Sequence, residues 1–139
     1  MRPIWLLFPL LLVVAACSDS GVDPAEVTGT EECRQITSDG LSASYECEDK
    51  TSDPRVSGVA TVTVVMEQAP PTAMSGTFEL VNDQGRWVGD WTGEITQSQN
   101  HIFDEVLVGT GGYEDLEYDA HWDGVDYPFT ITGTIRASE

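Results

Sequence analysis

The sequence predicts an all-β fold, an antiparallel eight-stranded meander barrel, with a β-sandwich as the alternative. Three observations lead there. Apolar and polar residues alternate at period two through most of the chain, the pattern of a strand with one buried face. Clusters of turn-forming residues interrupt that alternation at short intervals, so consecutive strands are antiparallel neighbours. No segment beyond the N-terminal apolar run has helical spacing. Strands with one apolar face each must bring those faces together in a barrel or a sandwich. A simple meander favours the barrel, because closure removes the sheet edges.

The first element is not part of that body. Arg2 is followed by Ile4-Trp5-Leu6-Leu7-Phe8-Pro9-Leu10-Leu11-Leu12-Val13-Val14 and then by small residues, the parts of a secretory signal. The run falls short of the ~20 apolar residues a spanning helix needs, and Pro9 interrupts it. Its end, Leu12-Val13-Val14-Ala15-Ala16-Cys17, resembles the lipobox of bacterial lipoproteins. That resemblance implies a signal peptide over residues 1–16 and a palmitate-type acyl anchor on Cys17. It also implies an extracytoplasmic location, the protein being held to a bacterial membrane. Residues 17–27, with Ser18-Asp19-Ser20-Gly21-Val22-Asp23-Pro24, then read as a flexible tether, and residues 28–139 as the barrel domain.

The strands follow in order. A first is expected near Val27 to Gln35, where alternation is weak. Leu41, Ala43, Tyr45 and Cys47 define the second, and Ala60, Val62, Val64 and Met66 the third. Gly76, Phe78 and Leu80 mark the fourth, and Trp87, Gly89, Trp91, Gly93 and Ile95 the fifth. Ile102 to Val108 is β-rich but mixed, which suggests burial on both faces. Leu116, Tyr118, Ala120 and Trp122 give the seventh, and Tyr127, Phe129, Ile131, Gly133 and Ile135 the eighth. Breaks fall at Ser52-Asp53-Pro54, Pro70-Pro71, Asn82 to Gly85, Gly109 to Gly112 and Asp123 to Asp126. Glycines inside strands suit the bends of a small barrel.

With Cys17 assigned to the anchor, Cys33 and Cys47 remain as an even pair in an oxidising compartment. They flank the turn residues Ser38-Asp39-Gly40, which sets them across from each other on paired strands, so a disulfide is expected. No Cys-x-x-Cys spacing and no nearby histidine supports a metal pair instead.

The formal net charge of −18 on 139 residues argues against nucleic acid as a partner and against docking on anionic lipid by charge. Attachment to a membrane then falls to the anchor on Cys17.

The segment Gly109-Thr110-Gly111-Gly112-Tyr113-Glu114-Asp115-Leu116 resembles a glycine-rich stretch of small secreted barrels of the allene-oxide-cyclase and dirigent type. The strand order from Thr77-Phe78-Glu79-Leu80 to Phe129 through Ile135 is similar as well. The resemblance implies an eight-stranded antiparallel barrel with an apolar interior. The cyclase's active residues are not matched one by one onto this chain, so no catalytic role is carried over.

Other constellations are weaker. Glu117, Asp119 and His121 share a strand face and offer cation ligands, but the opposite face is the apolar one, so they are expected in solvent. Asp119 to Asp123 departs from a calcium loop, with His121 at the third place and Thr130 at the twelfth. The glycines at 109–112 have no following helix or lysine to make a phosphate cradle. No Gly-x-Ser-x-Gly elbow is present. No catalytic residue, metal ligand or cofactor is therefore assigned.

The aromatics are the strongest lead. Trp87, Trp91, Tyr118, Trp122, Tyr127 and Phe129 fall on apolar faces and either fill the barrel or line a pocket for an apolar ligand. A packed aromatic core is the expectation. The role expected is a non-enzymatic binding or presentation module of the cell envelope, with an apolar ligand or an envelope protein as partner. The alternatives are a cyclase- or isomerase-type barrel enzyme acting on an apolar small molecule, and a structural envelope protein. An interior cavity with a buried polar group of perturbed pKa favours the enzyme; a filled interior with an exposed apolar patch favours a partner-binding module. Cys17→Ser is expected to free the protein from membranes, measured by fractionation after a salt wash; retention of the variant in the membrane fraction would refute the anchor.

Overall fold

The computed structural model describes residues 22–67 and 72–139. The expected signal peptide, Cys17 and the Pro70-Pro71 turn lie outside the described residues. Eight antiparallel strands close into a barrel in meander order: β1 (Ala25–Asp39), β2 (Ser42–Thr51), β3 (Gly58–Met66), β4 (Thr72–Val81), β5 (Gly85–Ile95), β6 (His101–Gly111), β7 (Leu116–Gly124) and β8 (Phe129–Ala137). A short 3-10 turn, Pro54–Val56, joins β2 to β3. Among the described residues, no helix is long and apolar enough to cross a membrane.

Closure is made by β1 against β8, in register from Ala25 opposite Ile135 to Glu31 opposite Phe129. The first strand therefore begins at Ala25, inside the stretch expected to be tether. The correction has a simple cause: Ala25, Glu26 and Val27 take ladder partners on β8, and Val27 is buried. Beyond Glu31, β1 pairs only with β2, so the β1–β2 hairpin runs on past the end of β8. A register shift between Gln35 and Thr37 bends it there, and Ile36 and Leu41 stand exposed near its tip.

The two ends of the barrel differ. The start of β1 at Ala25 and the end of β8 at Ala137 lie at the end that also carries the β2–β3, β4–β5 and β6–β7 connections. That end is plugged. Trp87 is fully buried and stacks on Tyr113, with ring centroids 5.0 Å apart, while Tyr118 meets it edge-on at 6.0 Å. The Trp87 indole N–H donates to the Arg55 carbonyl at 2.7 Å, which pins the 3-10 turn over the barrel. Asn82 ties the other connections in: its amide donates to the same carbonyl at 3.1 Å, and its Oδ1 accepts from the Tyr113 hydroxyl at 2.7 Å. Val27, Val56, Leu80, Leu107 and Ile135 complete this packed half.

The glycines on inner faces make room for rings from adjacent strands. A Cβ on Gly133 would lie 2.7 Å from the Tyr118 ring, and one on Gly76 would run into the Thr63 carbonyl and come within 2.8 Å of the Trp91 indole nitrogen. Among the described residues, the expected packed aromatic core is thus present in the plugged half, and toward the other end the interior is open.

Trp87→Ala is expected to cost about 3–5 kcal/mol through lost burial, the cavity left behind and the loss of one of the two hydrogen bonds to the Arg55 carbonyl. Trp91→Ala should cost less, because part of that side chain already faces empty space. Denaturant melts of the two variants check this, and an equal or larger loss for Trp91 would contradict the two-zone interior.

Candidate functional site

A cavity of about 260 Å³ opens at the end away from the plug. Its walls are Val62, Val64 and Met66 of β3, Met74 and Phe78 of β4, Trp91 and Ile95 of β5, and the rings of Phe103, Trp122 and Phe129. Trp91 is fixed by an indole N–H bond to the Thr63 carbonyl at 3.1 Å and by edge contact with Phe103 at 5.1 Å. Phe78 leans on Trp122 at 5.6 Å, and Phe129 packs between Phe103 and Tyr127. Val125 and Tyr127 of the β7–β8 connection stand exposed at the lip, next to Asp126.

Of the six aromatics expected as ligand-lining, Trp91, Trp122, Tyr127 and Phe129 border this cavity. Trp87 and Tyr118 do not; they belong to the plug, because β5 and β7 place them at the closed end of the barrel. Cys33 and Cys47 are directly opposed on β1 and β2, with sulfurs at bonding distance, 2.02 Å, and they form part of the cavity wall.

Three carboxyl groups were not anticipated. Glu31 and Asp49 are cross-strand partners, each two residues from a disulfide cysteine and so on the same inward face. Glu105 reaches in from β6, four strands around the barrel from β2, where it pairs with Trp91 on one side and Ala120 on the other. All three are buried, and Glu31 and Glu105 border the cavity. Like-charged groups directly opposed across strands repel each other, so the Glu31–Asp49 pair is stable only if it keeps a proton.

Burial is the dominant influence on each group, because it disfavours the charged form. Glu31 is pushed up to about 7, its burial being opposed by a hydrogen bond with Asp49 and by the approaching Trp122 indole, and reinforced by Glu105. The Trp122 N–H faces Glu31 without completing a hydrogen bond of good geometry. Asp49 is pushed up to about 9 by burial and then by the charge of Glu31. Glu105 lies well above the usual carboxyl range, through burial and then the charge of Asp49. Tyr118 is raised by burial and by the same acids, so its hydroxyl stays protonated. Several of these atoms are buried without a hydrogen-bond partner: Asp49 Oδ1, both Glu105 oxygens, the Tyr118 hydroxyl and Trp122 Nε1, with His101 Nδ1 higher on the wall.

The remaining sequence candidates lie elsewhere. Glu117, Asp119 and His121 are on the outer face, where Arg136 bridges Glu117 and Asp119 at 3.4 Å each and His121 pairs with Asp104 at 2.7 Å. Gly109 to Tyr113 build the plug: a Cβ on Gly109 would strike Tyr113. Glu31, Cys33 and Cys47 are close enough to suggest a metal set, but the two sulfurs are bonded to each other and offer no thiolate.

Comparisons of the chain with protein-family models, with curated proteins and with solved structures find no match in any of the three.

The buried acids set a pH dependence. Their folded pKa values lie above the unfolded ones, so between about pH 4 and about pH 9 the folded chain holds more protons and stability falls as pH rises. Their contribution is fully present below the ordinary carboxyl range and is lost as pH passes each folded value. Each such proton changes stability by about 1.4 kcal/mol per pH unit. Asp53, held low by its bidentate pair with Arg55, acts in the opposite sense only under more acidic conditions. Thermal melts should show the melting temperature declining from about pH 5 to about pH 9, and Asp49→Asn should flatten the slope. A melting temperature that rises across that window would contradict the assignment.

Proposed function

We propose that this protein is a non-enzymatic binding barrel of the bacterial cell envelope, lipid-anchored through Cys17, that takes a small apolar molecule into its open cavity. The observation that carries the reading is the asymmetry of the interior: one half is plugged, while the other keeps an aromatic-walled space open to solvent. An eight-stranded barrel is narrow enough for side chains to fill, so an open half points to an occupant. The lipobox-like end of the N-terminal run supports the anchor.

A second reading is a barrel enzyme of cyclase or isomerase type. Buried carboxyls beside an apolar cavity favour it: Glu31, with its pKa near 7, is suited to exchanging a proton with a bound substrate. The likeness of Gly109 to Leu116 to allene-oxide-cyclase and dirigent barrels points the same way, although in this chain those residues serve the plug. Binding needs only the cavity and its walls, and is preferred for that reason.

A neutral dye that brightens when buried, N-phenyl-1-naphthylamine, should gain fluorescence with the native protein. Val64→Trp, which fills the cavity from β3, should abolish the gain while leaving the melting temperature within a few degrees. No gain with the native protein, or an undiminished gain with Val64→Trp, would overturn the reading.

A further inference from the structure

We propose that the cavity's ligand is an organic ammonium: a small apolar or aromatic molecule whose protonated nitrogen rests on a floor formed by Glu31 and Glu105, with Asp49 paired behind Glu31. The inference rests on the binding reading and names the chemistry of its occupant.

The floor has acceptors in excess. Both Glu105 oxygens and one Asp49 oxygen are buried with no hydrogen-bond partner, although Glu105 borders an open cavity. Each such group costs about 1–3 kcal/mol when left unsatisfied. Among the described residues, no lysine or arginine lines the cavity. The titratable groups around the floor are Glu31 on β1, Asp49 on β2, Glu105 on β6 and Tyr118 on β7, with Tyr45, His101, Asp126 and Tyr127 higher on the wall and lip. A positive, donor-rich group is therefore the missing counterpart. An ammonium brings both the charge and several N–H donors in one compact head.

The walls select the rest of the molecule. Phe78, Trp91, Phe103 and Trp122 surround the space above the acids. Their ring faces favour a cation and the carbon chain attached to it. The lip carries Asp126 and the whole chain is strongly negative, so cations concentrate at the mouth. An anion would be repelled, and a neutral hydrocarbon would leave the buried acceptors unpaired. A hard divalent ion asks for six to eight oxygens, whereas the walls above the floor are mostly aromatic and aliphatic, with Tyr45, His101, Asp126 and Tyr127 as their polar members.

The protonation balance is consistent with this assignment. Burial raises all three carboxyls above the ordinary carboxyl range, so protons are held at the floor. An ammonium on the floor allows one of them to ionise, so a proton leaves as the cation enters and the site stays near neutral.

Titration calorimetry of the full mature chain near pH 7 with phenethylammonium and with 2-phenylethanol tests this. The ammonium should bind about tenfold or more tightly than the alcohol, as one charge-assisted hydrogen bond predicts. It should also release about one proton, read from heats in two buffers of different ionisation enthalpy, while the alcohol releases none. Glu105→Gln should erase the preference and keep the alcohol's affinity; Glu31→Gln supplies the same readout if that variant does not fold, and proton release by the native chain needs no variant. Equal affinity for the two probes would overturn the ammonium assignment and leave the binding cavity standing. Absence of binding by either probe would overturn both. Displacement of the amine by calcium chloride would make the floor a metal site and overturn the inference as well.

Discussion

Closure of β1 on β8 is the constraint from which the rest of the molecule follows. Once Val27 sits opposite Gly133 and Glu31 opposite Phe129, every strand has an inside and an outside, and side-chain parity decides which residues share the interior. That parity puts Glu31 and Asp49 together on the inner face, and it sends Glu105 in from across the barrel. The plug depends on closure too. Trp87 could not stack on Tyr113 or bond to the Arg55 carbonyl unless the three connections at that end converged on one small opening.

The interior divides its labour along the barrel axis. At the plug, aromatic stacking and the Asn82 hydrogen bonds satisfy their partners and leave little free volume. Toward the mouth, polar atoms stay unsatisfied and rings line a space. Three acids held out of water weaken the folded state as they ionise, so they reduce stability just where the barrel is least filled. A cluster of that kind, next to an accessible cavity, is the arrangement expected where stability has been exchanged for recognition.

The sequence showed the strands more clearly than it showed the site, for the same physical reason. Strands β7 and β8 have apolar inner faces and polar outer ones, so their alternation reads directly, and β3 and β5 keep the pattern apart from the outward Val59 and Val65 of β3 and Val88 of β5. Strand β6 reverses the rule: Glu105 points in, while Val106 and Val108 are exposed on the outside, which made the segment look buried on both faces. In β1 the inward Glu31 and the exposed Ile36 blur the pattern in the same way. A clue was nonetheless present. Cysteines expected to bridge across a hairpin must share a face, and Glu31 and Asp49 stand two residues from Cys33 and Cys47. What parity could not supply was depth. Trp87 and Trp91 both point inward, but only the convergence of Val56 and Tyr113 over one end assigns the first to the plug and the second to the cavity wall.

The placement of the chain ends governs how such a barrel meets its surroundings. The first strand enters at the plugged end, and only residues 18–24 separate it from Cys17. That stretch reaches at most about 25 Å. With the lipid proposed on Cys17, the barrel stands on its sealed base like a goblet on a short stem, its bowl turned outward. Solutes diffusing through the surrounding fluid would then encounter the opening directly, whereas acyl chains of the supporting bilayer would meet only the base.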